Sequence, residues 1–435
     1  MIDDPSLAYM HLTRSVEEPK MLILDHQTKN PDTSRFTEVA GGFLKADMKL
    51  VTKFAKSKAC FLESCCNGLL CFAKNYDDRV LVLFNPLRQE VIALPPHRAS
   101  RLPIKSLLRF KCVSQLWCNM IDDPSLAYMH LTRSVEEPKM LILDHQTKNP
   151  DTSRFTEVAG GFLKADMKLV TKFAKSKACF LESCCNGLLC FAKNYDDRVL
   201  VLFNPLRQEV IALPPHRASY TSKSTYGLGF DSSTNTYKVV RVFSRGGSFN
   251  MGAEVYTLGT SSWRPISKGP LCLLAGRPIF ACGALHWFVY AHVDRDALKG
   301  KYIVSFDVGK EEFGSISPPK YYSSSHLLDL GGNLAMVDRS FDSHIEIWVM
   351  KEYKKKEWVQ EYKIDVNPRL GILDDFWVEV IGLWEFGEIL LRYRASFISY
   401  NPKTDVKRYI EILGHDVKVL YHMGSLLSIS KFQTE

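Results

Sequence analysis

The chain has 435 residues, 46% hydrophobic and 24% charged, with a formal net charge of +8. That balance is ordinary for a soluble globular protein with room for two or three domains. No run of about 18 apolar residues occurs, so no membrane span is expected, and the acidic start MIDDPSLAYMHLTRS lacks an apolar core of signal-peptide length, which points to an intracellular protein.

Chain order begins with a repeat. Residues Met1–Ser100 recur, letter for letter, as Met120–Ser219. Solenoid and propeller repeats diverge while keeping a pattern. Identity over 100 positions marks a copied block, from a recent duplication or a mis-joined coding sequence. Eight of the twelve cysteines are therefore four counted twice: Cys60, Cys65, Cys66 and Cys71, then Cys179, Cys184, Cys185 and Cys190. They interleave with Phe and Leu in a strand-like run, CFLESCCNGLLC, and not in the paired turns of a zinc site. Small buried hydrophobes is the reading they support. The first copy holds strands without the neighbours that an isolated blade needs to cover its edges. Residues 1–100 are expected to pack poorly.

Between the copies lies a helical piece. Pro103 suits a first helical turn, where its missing N–H has no partner to lose. Ile104, Leu107 and Leu108 follow at i, i+3, i+4, and Val113, Leu116 and Trp117 repeat the apolar face after a cap at Ser114. Asp123-Pro124 predicts another cap and first turn. The segment Arg101–Asn119 carries Arg101, Lys105, Arg109 and Lys111 and no acid, half of the whole excess charge. Basic residues on the wet face of an amphipathic helix, or facing an acidic protein partner, account for this better than nucleic acid does. Three short helices cannot bury their faces alone and need a neighbouring domain or a partner.

From Lys139 onward the pattern changes to short β-branched and aromatic runs: MLILDHQ, RVLVLFNP, YKVVRVF, AEVYTLG, IVSFDV, HIEIWVM and SFISYNP. A second series sets a glycine before aliphatic residues, at Gly187, Gly227, Gly283, Gly332, Gly387 and Gly424, spaced by 40, 56, 49, 55 and 37. A third is a hairpin with a polar turn and an anchored return strand: FNPLRQEVIAL, YTLGTSSWRPI, FDVGKEEFGSI, WVMKEYKKKEWVQEY and YNPKTDVKRYI. Lys354-Lys355-Lys356 reads as a solvated hairpin tip. A weak repeat of about 40–55 residues with about four strands each predicts β-propeller blades. The fold class is mainly β, a kelch-like β-propeller preceded by a short helical piece. The second copy runs on into the remaining blades, so Lys139–Pro215 is expected to fill the propeller.

Two stretches carry a resemblance. LPIKSLLRFKCVSQLWCNMIDDPSLAYMHL resembles the second half of a plant F-box, with its "RLP-x-KSLLRF-x-CVSK-x-W" and "DP-x-F" segments. SCCNGLLC, NPLRQEVIALPP, YGLGFDSSTNTYKVVRVF, AEVYTLGTSSWRPI, GALHWFVY, IVSFDVGKEEF and IEIWVMKEY are similar to the F-box-associated, kelch-like domain of the same proteins. They cover most of Leu181–Ile412 in the family's order. The resemblance implies three parts: a duplicated block (1–100), partial F-box helices (101–135) and an F-box-associated propeller (136–435). It also implies docking onto a Skp-type adaptor, and through it a cullin, with Leu102, Pro103, Ile104, Leu107, Leu108, Val113 and Trp117 forming the adaptor-facing surface or its immediate support. The family's first helix should precede Arg101. VIALPPHRAS stands there, and Pro95-Pro96 cannot lie inside a helix, so the F-box reads as truncated.

No catalytic motif emerges: no G-x-S-x-G elbow, no H-E-x-x-H and no phosphate-binding loop. His286 in GALHWF reads as a satisfied core histidine, and Asp374-Asp375 as a turn. No cofactor, metal, nucleic-acid or membrane partner is expected. The resemblance implies a non-catalytic substrate-recognition subunit of an SCF-type cullin ubiquitin ligase, in cytoplasm and/or nucleus, whose propeller binds an unnamed target protein. The alternative is a propeller interaction module uncoupled from the ligase. The long segments 246–251, 290–301 and 318–328 are the candidates for target recognition.

Overall fold

In a computed structural model of the chain, the described residues are 104–111, 115–133, 139–144, 152–159, 162–170, 179–193, 199–216, 224–245, 251–289, 303–320, 325–341, 343–366, 378–384, 387–393, 396–410 and 417–432, and seven strands within 21–94. Of the strands within 21–94, 139–170 and 417–422, the backbone alone is described. The chain divides into two compact units, Met1–Ser134 and Val135–Glu435.

The second unit is built from antiparallel sheets of four strands. Blade 1 takes its strands from Cys179–Cys185, Leu188–Lys193, Val199–Asn204 and Glu209–Ala212. Four more blades repeat the meander within 224–266, 274–316, 325–365 and 378–410. The first strands of successive blades lie side by side, and the C-terminal strand Val417–His422 takes the next place in that series. It pairs with Lys139–Asp144, which continues into Thr152–Ala159 and Phe162–Val170. A sixth sheet, the closing blade, thus joins the two ends of the unit. The result is a β-propeller that takes in residues 139–216 of the second copy of the block, while the start of that copy forms helices of the first unit.

Local sequence explains the meander. The turn between the first and second strands of four blades carries Gly187, Gly283, Gly332 or Gly387, all at positive φ. Gly227 breaks this series. It lies inside the strand Ser224–Asp231, where an added Cβ would stand 2.7 Å from Leu285 of the next blade. The hairpins between third and fourth strands each end on a residue in the left-handed region in four blades: Gln208, Glu311, Lys356 and Asp405, with φ of 55°, 59°, 56° and 55°. Such four-residue loops are a common way to return an antiparallel strand. The lysine run 354–356 is one of these tips and is exposed.

Cores form between sheets, not within one. Val240, Val242 and Val255 of blade 2 pack with Leu285, Trp287 and Phe306 of blade 3. Leu328, Ala335 and Ile347 of blade 4 pack with Val380, Leu391 and Ile398 of blade 5. Every second residue along these strands faces such a layer, which is the period-2 geometry of a strand. A polar device recurs on the outer strands, each reaching back to the preceding blade. Trp263 Nε1 donates to the Pro214 carbonyl (2.7 Å), Trp358 Nε1 to Ser317 (2.8 Å) and Lys407 Nζ to Asp365 (2.6 Å).

The segment after the closing strand is latched onto blade 1. Asn204 is fully buried and donates from Nδ2 to the carbonyls of Ser425 (3.1 Å) and Leu427 (2.8 Å). Glu209 Oε2 accepts from the backbone N–H of Ile429 (2.7 Å) and Ser430 (3.2 Å), and Arg207 donates to the Leu426 carbonyl (3.1 Å). Gly187 sits so close to Gly424 that a Cβ on it would collide with the Gly424 carbonyl. Asn204→Ala would leave two buried carbonyls without their donor, at a cost of about 1–3 kcal/mol. Urea unfolding of the full chain should show that loss, and Asn204→Asp, which turns two acceptors onto acceptors, should cost more. An unchanged midpoint for both would mean the latch contributes nothing.

Candidate functional site

Three helices make the helical module of the first unit: α1 (Ile104–Phe110), α2 (Gln115–Asp122) and α3 (Pro124–Arg133). The α2–α3 junction follows the sequence closely. Asp123 Oδ1 accepts the N–H of Ser125 (2.9 Å), and Pro124 opens α3 where its lack of a donor costs nothing. Lys111 at the end of α1 pairs with Asp122 at the end of α2 (2.8 Å). Part-exposed pairs of this kind stabilise by only about 0–1 kcal/mol, so this one orients more than it holds.

The apolar stripe points inward. Ile104, Leu107 and Trp117 are at most 1% exposed, and the rings of Phe110 and Trp117 meet at 5.0 Å. Ile121, Leu126, Ala127 and His130 join them in burial. These four were missed in the sequence reading, although Ile121 follows Trp117 by one helical turn and could have been found from that spacing. Leu108 is only half-buried and Arg109 is exposed. Of the seven residues that the F-box resemblance assigns to the adaptor-facing surface or its immediate support, Ile104, Leu107 and Trp117 are buried. Leu108 alone of the described ones reaches the surface. Leu102, Pro103 and Val113, and the Ser114 cap, lie outside the described residues, as does the packing of residues 1–100.

The other candidate residues fall to structural roles. His286 is fully buried: Nδ1 lies 3.3 Å from the Ile279 carbonyl and Nε2 2.8 Å from the Tyr353 hydroxyl. Burial holds the Tyr353 phenol up at about 12, so it donates to Nε2 while Nδ1–H donates to the carbonyl. Cys185 and Cys190 are buried within blade 1, and burial raises both thiols, the state of inert packing cysteines. Asp374-Asp375 and most of the candidate recognition segments 246–251, 290–301 and 318–328 lie outside the described residues.

The class these features define is a kelch-like β-propeller accompanied by a small helical module. A model of the F-box associated beta propeller domain matches residues 134–429, and a model of the F-box domain matches residues 99–128. The chain belongs to the F-box proteins that carry an F-box-associated propeller. Its relatives include, in Arabidopsis thaliana, F-box protein At3g07870, 27% identical over 371 residues, covering 74% of this chain and 87% of the relative. F-box/kelch-repeat protein At3g23880 is 26% identical over 330 residues, covering 69% and 84%. F-box protein CPR1 is 26% identical over 301 residues, covering 61% and 70%.

Burial of neutral His286 holds its imidazole down at about 4. The unfolded imidazole takes up its proton near pH 6.5. Stability contributed by this site is therefore complete above pH 6.5 and lost as pH falls to about 4. His286→Gln should remove that share, on the order of 3 kcal/mol between the two ends of the window. Unfolding midpoints of parent and variant, followed from pH 7 to pH 4, should converge as pH falls. Parallel curves would show that His286 is not held neutral.

Proposed function

We propose that this chain is the substrate-recognition subunit of an SCF-type cullin ubiquitin ligase. The F-box helices dock a Skp-type adaptor and the propeller holds a target protein for ubiquitination. The observation that carries the reading is one chain matching an F-box over 99–128 and an F-box-associated propeller over 134–429. Its contribution is proximity. A target held by the propeller meets the conjugating enzyme at a high effective concentration, so the receptor needs no chemistry of its own. A receptor of this kind would act in the cytoplasm and/or nucleus.

A second reading has its own support. Pro95-Pro96 stand where the family's first F-box helix should run, and proline cannot continue a helix. Without that helix the propeller becomes an interaction module uncoupled from the ligase.

A pull-down of the full chain with a plant Skp-type adaptor separates the two. Leu107 is fully buried, so a charge there breaks the module itself. Leu108→Asp is the surface test, since Leu108 is half-buried. The receptor reading predicts binding by the parent, at least a tenfold loss in Leu108→Asp, and no change in the propeller's unfolding. A parent that fails to bind, while a chain given a complete first helix binds, would sink it in favour of the uncoupled module.

A further inference from the structure

The two copies of the block have the same sequence but different surroundings. In the second copy, Met140–Asp144 pairs on one side with Thr152–Ala159 and on the other with the C-terminal strand, in the register Met140 to Tyr421, Ile142 to Val419 and Asp144 to Val417. In the first copy, Met21–Asp25 pairs with Thr33–Ala40 in the matching register, Met21 to Val39 and Asp25 to Arg35. Thr33–Ala40 pairs in turn with Phe43–Val51. Among the described residues that sheet ends there, with three strands in place of four. Met21–Asp25 is its edge, at the position where its twin receives Val417–His422.

The residues of the latch recur in the sequence of the first copy as well. Asn204 ends one strand of blade 1 and pairs across the turn with Glu209. Asn85 ends Val80–Asn85 and pairs across the same turn with Glu90. The chain thus carries the acceptor sequence twice and the C-terminal segment once. That segment is engaged by Asn204, Arg207 and Glu209, and so is the corresponding segment of any second copy. An exchange between copies would empty one acceptor to fill another and gain no contact.

We propose that the Met21–Asp25 edge is a binding site for an extended segment of a different polypeptide, of the chemistry that closes the propeller. That chemistry is an aliphatic strand interrupted by basic and aromatic residues, as in Val-Lys-Val-Leu-Tyr-His, followed by Met-Gly-Ser. The partner adds a strand by backbone hydrogen bonds, the mode in which sheet edges take peptides, and a sheet edge without a partner invites uncontrolled pairing.

The probe is a fluorescent peptide of residues 414–432, titrated against the full chain by anisotropy. Saturable binding is expected, with affinity at least tenfold lower for Asn85→Ala/Glu90→Ala and for a peptide of scrambled order. A photo-crosslinker at position 419 gives a second readout. The two copies yield the same tryptic peptide, MLILDHQTK, so Ile23→Val marks the first copy by mass, and the crosslink is expected on the marked peptide. No saturable binding would overturn the proposal. So would binding unaffected by the Asn85 and Glu90 substitutions, or a crosslink on the unmarked peptide, since either means that the probe displaces the propeller's own strand. Dimerisation of the full chain that blocks the probe would also overturn it, by showing that a second copy covers the edge.

Discussion

The pairing of Val417–His422 with Lys139–Asp144 is the contact on which the second unit depends. Among the described residues it is the one place where the two ends of Val135–Glu435 meet in a common sheet. Every other blade is a local meander whose strands follow one another directly, and such sheets form from neighbouring sequence. Their apolar faces are covered only when the next blade is in place, as the cores shared between blades 2 and 3 and between blades 4 and 5 show. A row of blades left open at its ends would expose two such faces. The closing strand, with the Asn204 and Glu209 latch behind it, turns the row into a ring.

Closure also separates rigid parts from adaptable ones. The strands are fixed by burial and backbone pairing, and the Trp263, Trp358 and Lys407 hydrogen bonds tie neighbouring blades together. Loops between strands are free to vary without disturbing either, which is why a scaffold of this kind can present recognition surfaces. The helical module solves a different problem. Its apolar stripe, Ile104, Leu107, Trp117 and Ile121, is buried, and Leu108 beside it is only half-buried.

Much of this was legible in the sequence. The strand runs, the polar hairpin turns and the glycine series follow from local chemistry, and they mark blade positions correctly at Gly187, Gly283, Gly332 and Gly387. Gly227 was misleading because its need is tertiary: the neighbouring blade's Leu285 leaves no room for a side chain. The Asp123-Pro124 junction was readable because a cap is local. The direction of the apolar stripe was not, since periodicity shows that a face is buried but not what buries it. Closure was hidden for another reason. Its partners lie far apart in the chain, so no local pattern pairs Val417–His422 with Lys139–Asp144; continuity with the remaining blades pointed to the second copy, but not to the strand that closes on it.

Truncation of the chain before Val417 tests the claim of closure most directly, with thermal unfolding followed by near-ultraviolet circular dichroism. Loss of the closing strand and of the segment that Asn204 and Glu209 hold should replace the propeller's cooperative transition with a broad one at much lower temperature. Adding the peptide 414–432 in excess should restore it in part. A truncated chain that melts as sharply, and at the same temperature, as the full chain would contradict the account.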